Sequence, residues 1–261
     1  MLSVVIPAHD EQDCIEQTLL DLARVLESER IPFEIVVVDD HSTDGTAAAV
    51  ARVAAVQPHV RCVANARPNG FGNAVQTGLD AFAGDAVCIV MADASDDPLD
   101  VVAYWRLIAG GYDCAFGSRF VRGARVVEYP RLKLLLNRSA NAMISLLMGI
   151  RYNDVTNAFK CFRREVIDGV RPILSPHFNI TVELPLKAIV RGYSWAVVPT
   201  SWYNRKGGVS KFKIKEMGSR YLFIVLYVLI EKWFSRGDYV RRAELGAPPA
   251  AAAPDREALP H

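Results

Sequence analysis

Apolar runs recur along the first half of the chain, and each ends abruptly in polar residues. Leu2–Pro7 (LSVVIP) runs into AHDEQD, Glu34–Asp40 (EIVVVDD) into HSTDGT, and Ile89–Ala92 (IVMA) into Asp93, Asp96 and Asp97. Val/Ile runs without polar alternation mark strands buried on both faces, as in parallel sheets sandwiched by helices. The pattern predicts strands over 2–7, 34–39, 60–64, 86–91 and 113–118, with helices near 12–28, 44–56, 72–83 and 99–109. Ser42 or Thr43 is expected to cap the second helix, with Asp44 favourable in its first turn. Such alternation implies an α/β domain with a mainly parallel sheet and helices on both faces.

After residue 120 the rhythm breaks. A long amphipathic helix is expected over 132–150, a strand over 155–162, a helix over 182–191 and a short strand over 196–199 before a basic loop. Tyr221–Ile230 (YLFIVLYVLI) is wholly apolar, about half the roughly 20 residues a membrane span requires. Lys211, Lys213, Lys215 and Arg220 precede it, and Lys232, Arg236, Arg241 and Arg242 follow. Two readings stay open: a helix lying in a membrane surface with its cations toward anionic lipid, or one packed on the domain or at a homodimer contact. The chain therefore divides into a domain at 1–215, an apolar helix at 216–240 and an Ala/Pro-rich tail at 241–261, expected to be disordered.

Half the residues are hydrophobic and the net charge is +1, so a sizeable core is expected and charge gives no reason to expect nucleic acid. The five cysteines show no CxxC pair, and most lie in apolar contexts, which suggests buried free thiols in a reducing compartment. The first strand begins at residue 2 with no leader before it, so a cytoplasmic location is expected.

The chemistry gathers where the strands end. Strand ends at Pro7, Asp39 and Met91 each deliver polar residues toward one edge, the edge at which open α/β sheets bind ligands. Carboxylates placed there commonly face a divalent metal carrying phosphates, although a solvated acidic turn gives the same pattern. The glycine fingerprint of a dehydrogenase is missing after the first strand, and Gly70-Phe71-Gly72 follows the third strand and lacks a third glycine.

The ordered segments SVVIPAHDE (3–11), EIVVVDDHSTDGT (34–46), NGFGNAVQTGL (69–79), VMADASDDP (90–98), GSRF (117–120), DVTNAFKCFRREV (154–166), VELPLKA (182–188) and RKGGVSK (205–211) together resemble the inverting family 2 glycosyltransferases. The likeness is to the branch typified by dolichol-phosphate mannose synthases and bacterial polyprenyl-phosphate sugar synthases. It implies a GT-A fold with a Rossmann-like sheet, a nucleotide-diphosphate-sugar donor, a polyprenyl phosphate acceptor, Mg²⁺ or Mn²⁺, and a peripheral place at the inner face of the cell membrane. Pro7, Ala8, His9 and Glu11 would line the base and ribose, with His9 and Asp10 departing from the usual Tyr-Asn. Val38 and Asp40 would sit against the base, while Asp39 more naturally orients the following turn. Ala92 and Asp93 would contact the nucleotide sugar. Met91 replaces the family's first aspartate, which leaves Asp93 as the metal ligand with Ser95 beside it. Asp96 and Asp97 would assist through water or simply open a helix before Pro98. Arg119, Arg205, Ser210 and Lys211 would hold donor and acceptor phosphates, with Asp93, Arg119, Arg205 and Lys211 the catalytic set. Asp154, Thr156 and Asn157 would border the sugar or form a structural turn, and Glu183 would touch sugar hydroxyls. Lys133 and Arg138 would meet lipid phosphate or remain solvated. A hydroxyl acceptor, or donor binding with little turnover, remains the alternative.

Overall fold

The computed structural model describes residues 1–127, 131–203 and 214–241. The elements, in chain order, are β1 (Leu2–Ala8), α1 (Ile15–Ser28), β2 (Phe33–Asp39), α2 (Thr46–Val56), β3 (Val60–Ala64), α3 (Phe71–Ala81), β4 (Ala86–Ile89), α4 (Pro98–Ala109) and β5 (Cys114–Ser118). There follow β6 (Arg125–Val127), α5 (Arg131–Met148), β7 (Lys160–Arg163), α6 (Arg164–Gly169), α7 (Ile180–Val190), β8 (Trp195–Pro199), β9 (Ser201–Tyr203) and α8 (Ile214–Phe234).

Seven strands form one sheet in the order β3-β2-β1-β4-β7-β5-β8. All pairings are parallel except those of β7, which runs antiparallel between β4 and β5. The side-chain period of two sorts the Val/Ile runs between two cores. Val4, Ile6, Ile35, Val37 and Cys88 face α1, α2 and α4, whereas Val5, Val36, Val38, Val87 and Ile89 face α3, α7 and α8. Gly78 lets α3 lie close, since a Cβ there would come 3.2 Å from Val38 Cγ2. Val38 therefore fills the core under α3 rather than lying against a base, a correction that follows from its register.

Several local expectations shift. β4 leaves the sheet at Ile89 rather than 91, because the Met91 N–H turns to the Asp96 carboxylate at 3.0 Å. The strand expected over 155–162 is confined to Lys160–Arg163, and the residues before it form turns. Helix α2 is capped by neither Ser42 nor Thr43. Its N-cap is Gly45, and the Asp44 carboxylate accepts from the Thr46 N–H at 2.9 Å. Among the cysteines, Cys88, Cys114 and Cys161 are buried free thiols, but Cys62 on the edge strand β3 is exposed.

Helix α8 is two-faced. Ile224, Val225, Val228 and Leu229 are buried in the core shared with α7, and Arg191 and Glu231 form a buried fork of two hydrogen bonds, 2.7 and 2.8 Å. The opposite face exposes Leu222, Phe223, Leu226, Ile230 and Trp233. Two of the flanking cations turn inward: Lys232 donates to Met148 O and Arg241 to Asp113. The boundary set at 215/216 falls in the helix's first turn. Among the described residues, no helix is long and apolar enough to cross a membrane.

Candidate active site

The parallel strands deliver the segments after β2, β1, β4, β5 and β8 to one edge, and the antiparallel β7 brings the segment before it there too. Asp10, His41 and Ala94, in the loops after β1, β2 and β4, adopt left-handed φ values of 54°, 60° and 55°. Non-glycine residues hold such angles only where surroundings over-determine them, and such residues cluster at functional edges.

The first two loops are tied into one cradle. The Thr43 N–H donates to Asp10 at 2.8 Å, the Glu11 N–H to Thr46 Oγ1 at 2.9 Å, and the Gly45 N–H to Gln12 Oε1 at 2.7 Å. Donation from the Thr43 N–H holds Asp10 below the usual carboxylate range. The Asp10 departure thus has a structural use: it locks the β2 loop. Asp39 takes the Ser42 N–H at 3.2 Å, as expected of a turn-orienting residue.

Asp40 has partners of its own. Its buried carboxylate accepts from Asn65 Nδ2 at 2.6 Å, Asn69 Nδ2 at 3.2 Å and the Gly70 N–H at 2.9 Å. It therefore anchors the start of α3, a role its sequence motif did not announce. His9 Nδ1 lies 2.7 Å from the Asp40 carbonyl, which fixes the proton on that nitrogen and leaves the half-exposed ring at the crevice. Pro7, Ala8, Asp40 and Ala92 are buried, so the exposed surface among the described donor-site residues comes from His9, Glu11 and Asp93, with a small part from Arg119.

The acidic knot after β4 separates into distinct jobs. Asp97 caps α4, accepting from the Leu99 N–H at 3.0 Å, which is the helix-opening role. Asp93 Oδ1 accepts from the Ser95 N–H at 3.2 Å across the left-handed Ala94. Asp96 folds back to Met91, and burial pushes its carboxyl up to about 7, with the Asp93 charge adding to the rise. Thr18 Oγ1 steadies the segment by donating to Ala92 O at 3.0 Å. Oxygen donors alone make up this set, which suits Mg²⁺ or Mn²⁺ completed by water and phosphate. No group of three or more His, Cys, Asp or Glu among the described residues would hold a metal unaided.

Across the crevice, Arg119 follows β5 and meets Asp154. Nε and Nη2 donate to the carboxylate at 2.8 and 2.7 Å, and the Arg119 backbone N–H adds a third bond at 2.9 Å. The side chains are 10% and 0% exposed. Asn157 Nδ2 donates to Gly117 O and Thr156 packs by hydrogen bonds against Asn141, so both act as parts of the turn. Lys160, which sequence reasoning passed over as a strand residue, buries its ammonium beneath that turn against the Val155 and Asn157 carbonyls, and burial lowers its pKa to about 7.

Glu183 requires a correction. It is fully buried, paired with Lys187 at 2.6 Å, and accepts the Leu174 and Ser175 N–H groups, so its carboxylate is taken up in supporting the 172–175 loop. Arg138 is exposed above the Phe120 ring, and Lys133 falls in the first turn of α5. Arg205, Ser210 and Lys211 lie outside the described residues. They follow β9 in the chain, where Trp202 bridges to Asp96.

The architecture is shared with solved enzymes. Glucosyl-3-phosphoglycerate synthase from Mycobacterium tuberculosis, in complex with Mn²⁺, uridine diphosphate and phosphoglyceric acid, matches with a TM-score of 0.64. The match covers 89% of this chain and 78% of that one at 20% identity. This core is that of a GT-A glycosyltransferase. In sequence, the chain is 32% identical over 234 residues to the polyprenol monophosphomannose synthase of Mycolicibacterium smegmatis, covering 83% of this chain and 86% of that protein. It is 30% identical over 219 residues to the dolichol-phosphate mannosyltransferase of Pyrococcus furiosus, covering 82% and 60%. The profile of glycosyl transferase family 2 matches residues 3–171, and the chain belongs to that family.

Proposed function

We propose that the protein transfers a sugar from a nucleotide-diphosphate donor to a polyprenyl phosphate, with inversion and with the help of a divalent cation. The observation that carries this reading is the state of Asp154 and Glu183, the two carboxylates expected near the sugar. Each is fully buried in an ion pair, with Arg119 and with Lys187. Neither is placed to take a proton from an acceptor hydroxyl, since a general base must reach the proton it abstracts. A phosphate monoester is already an anionic nucleophile and requires no base. Charge stabilisation and positioning remain to be supplied.

The chain's residues divide that work. The cradle of 9–12 and 42–46 would receive the nucleotide, with His9 stacking on the base. Asp93, with Ser95 beside it, would hold the cation, and Asp96 would add a second carboxylate where Met91 brings none. When bound, such a cation neutralises charge developing on the departing diphosphate. Asp154 fixes the plane of the Arg119 guanidinium, which would place its positive charge beside the phosphates. Arg205, Ser210 and Lys211 would steer the incoming phosphate. The exposed apolar face of α8, with Leu146 and Leu147 of α5, would rest on the membrane surface that carries the acceptor. The polyprenol monophosphomannose synthase relationship supports the acceptor class.

Incubation with radiolabelled nucleotide sugars, polyprenyl phosphate and Mn²⁺ tests the reading by partition. Label in the organic phase is expected. Label confined to an aqueous product would assign a hydroxyl acceptor instead.

A further inference from the structure

A lysine occupies a place where the sheet calls for an apolar side chain. Lys160 opens β7 between Ile89 of β4 and Phe116 of β5, and it is 1% exposed. Lysines are almost never buried so fully unless paired. The Lys160 ammonium donates to two main-chain carbonyls, Val155 O at 3.0 Å and Asn157 O, and lies 5.7 Å from the centre of the Tyr152 ring. A methionine would fill the same space without bringing a charge into the core.

Those two carbonyls belong to the turn that sets Arg119. Asp154 opens the turn, its carbonyl accepting the Asn157 N–H at 3.0 Å and its carboxylate accepting the three bonds from Arg119. Neutral groups support the turn from the sides. Asn157 Nδ2 and the Tyr152 hydroxyl donate to Gly117 O of β5 at 3.1 and 2.9 Å, and Asn141 of α5 donates to Thr156 Oγ1 at 2.9 Å. Lys160 comes from beneath and adds charge, and bonds from an ionised donor are about twice as strong as neutral ones. The Asp154 carboxylate favours the ammonium and the Arg119 guanidinium opposes it. We propose that Lys160 is a positioning residue for Arg119, its ammonium drawing the 154–157 turn inward so that Asp154 aims the guanidinium. The inference rests on the transfer reading, since it gives Lys160 a part in that reaction.

One group then acts on stability and on transfer in opposite directions. Burial lowers the Lys160 pKa from 10.5 to about 7. The folded chain therefore holds this proton less tightly than the unfolded one, so the group makes stability rise with pH between about 7 and 10.5. Transfer should fall over the same window, because the ammonium is the form that grips the turn. A lysine that served the fold alone would produce only the first effect.

The test is kcat for label transfer against pH, in the full chain and in Lys160→Met. The variant is expected to be about tenfold to hundredfold slower at about pH 6, as for a misplaced catalytic group. The gap should close above about pH 7, where the parent loses its own ammonium. The NMR signal of the Arg119 Nε–H, assigned by its disappearance in Arg119→Met, needs no turnover. It should be sharp in the parent at about pH 6 and broadened by exchange in Lys160→Met. Lys160→Gln, neutral but still a donor, serves if the first variant misfolds and should fall between the two. Parental kcat in Lys160→Met, a gap equal at about pH 6 and 9, or an unchanged Arg119 signal would overturn the proposal. A broadened signal from a chain whose parent transfers no sugar would leave the positioning role standing and sink the transfer reading alone.

Discussion

Asp154→Ala strips the carboxylate that accepts three hydrogen bonds from Arg119, two of them from its guanidinium. The arginine side chain is 10% exposed, so the variant leaves an almost dry cation without its counter-charge. Breaking a buried pair this way costs about 3–5 kcal/mol, whereas an exposed pair is worth about 0–1 kcal/mol. At about 2–4 °C per kcal/mol for a chain of this size, the melting midpoint should fall by about 6–20 °C. Circular dichroism melts of parent and variant measure it directly. The double variant Arg119→Met/Asp154→Leu should regain most of that loss, since well-packed apolar pairs replace buried ion pairs at little cost. It should nevertheless transfer no sugar, because the oriented guanidinium is gone. A fall of less than about 2 °C in Asp154→Ala would show that the pair is effectively solvated and refute the scaffold argument.

Asp93→Ala should abolish metal-dependent transfer and weaken Mn²⁺ binding in the presence of nucleoside diphosphate, read by electron paramagnetic resonance; parental Mn²⁺ affinity would move the metal elsewhere. Asp100 on α4 accepts the Ser201 N–H at 3.0 Å while burial pushes its carboxyl up to about 7. A carboxylate raised on folding binds protons more tightly in the native state, so stability should decline as pH rises from about 4 to 7. Asp100→Asn should lessen that decline in urea titrations, with Asp96 left to supply the remainder, and an unchanged slope would exonerate Asp100. Truncation after Gly218 would uncover Ile224, Val225, Val228 and Leu229, so point changes on the opposite face give a cleaner test of membrane contact. Leu226→Ser/Trp233→Ser, at positions 48% and 66% exposed, should reduce pelleting with anionic vesicles at least about tenfold without lowering the melting midpoint. Equal pelleting would reject the surface-helix proposal.

What could be read in the sequence was local. The Val/Ile runs gave β1 and β2 nearly residue for residue, because a strand buried on both faces has no other way to be written, and the half-buried edge strand β3 was found as well. Asp97 before Pro98 announced the α4 cap through neighbours in the chain. What escaped was set by partners far apart. Asp154 and Arg119 are 35 residues apart, and Arg191 and Glu231 are 40 apart, so no spacing rule links them. Asp40 reads as a strand-end carboxylate whether it faces a ligand or Asn65, Asn69 and the Gly70 N–H. Glu183 and Lys187 look like a solvated i, i+4 pair, and only the core around α7 shows them buried. Val38 was misplaced by motif analogy, although its alternation with Val37 already assigned it to the α3 side.

The reversed strand β7 has a consequence for how this enzyme is free to change. Because β5 leaves the sheet and β7 re-enters it at the same rim, the described residues between Arg119 and Phe159 belong to an excursion that begins and ends beside the candidate site. Helix α5 rides on that excursion, anchored in the core by Ile144 and Met148, while its exposed residues Leu135, Leu136, Met143 and Leu146 can be rewritten with every strand keeping its neighbours. Change can gather on the exposed face of this detour, with the sheet beneath it left undisturbed.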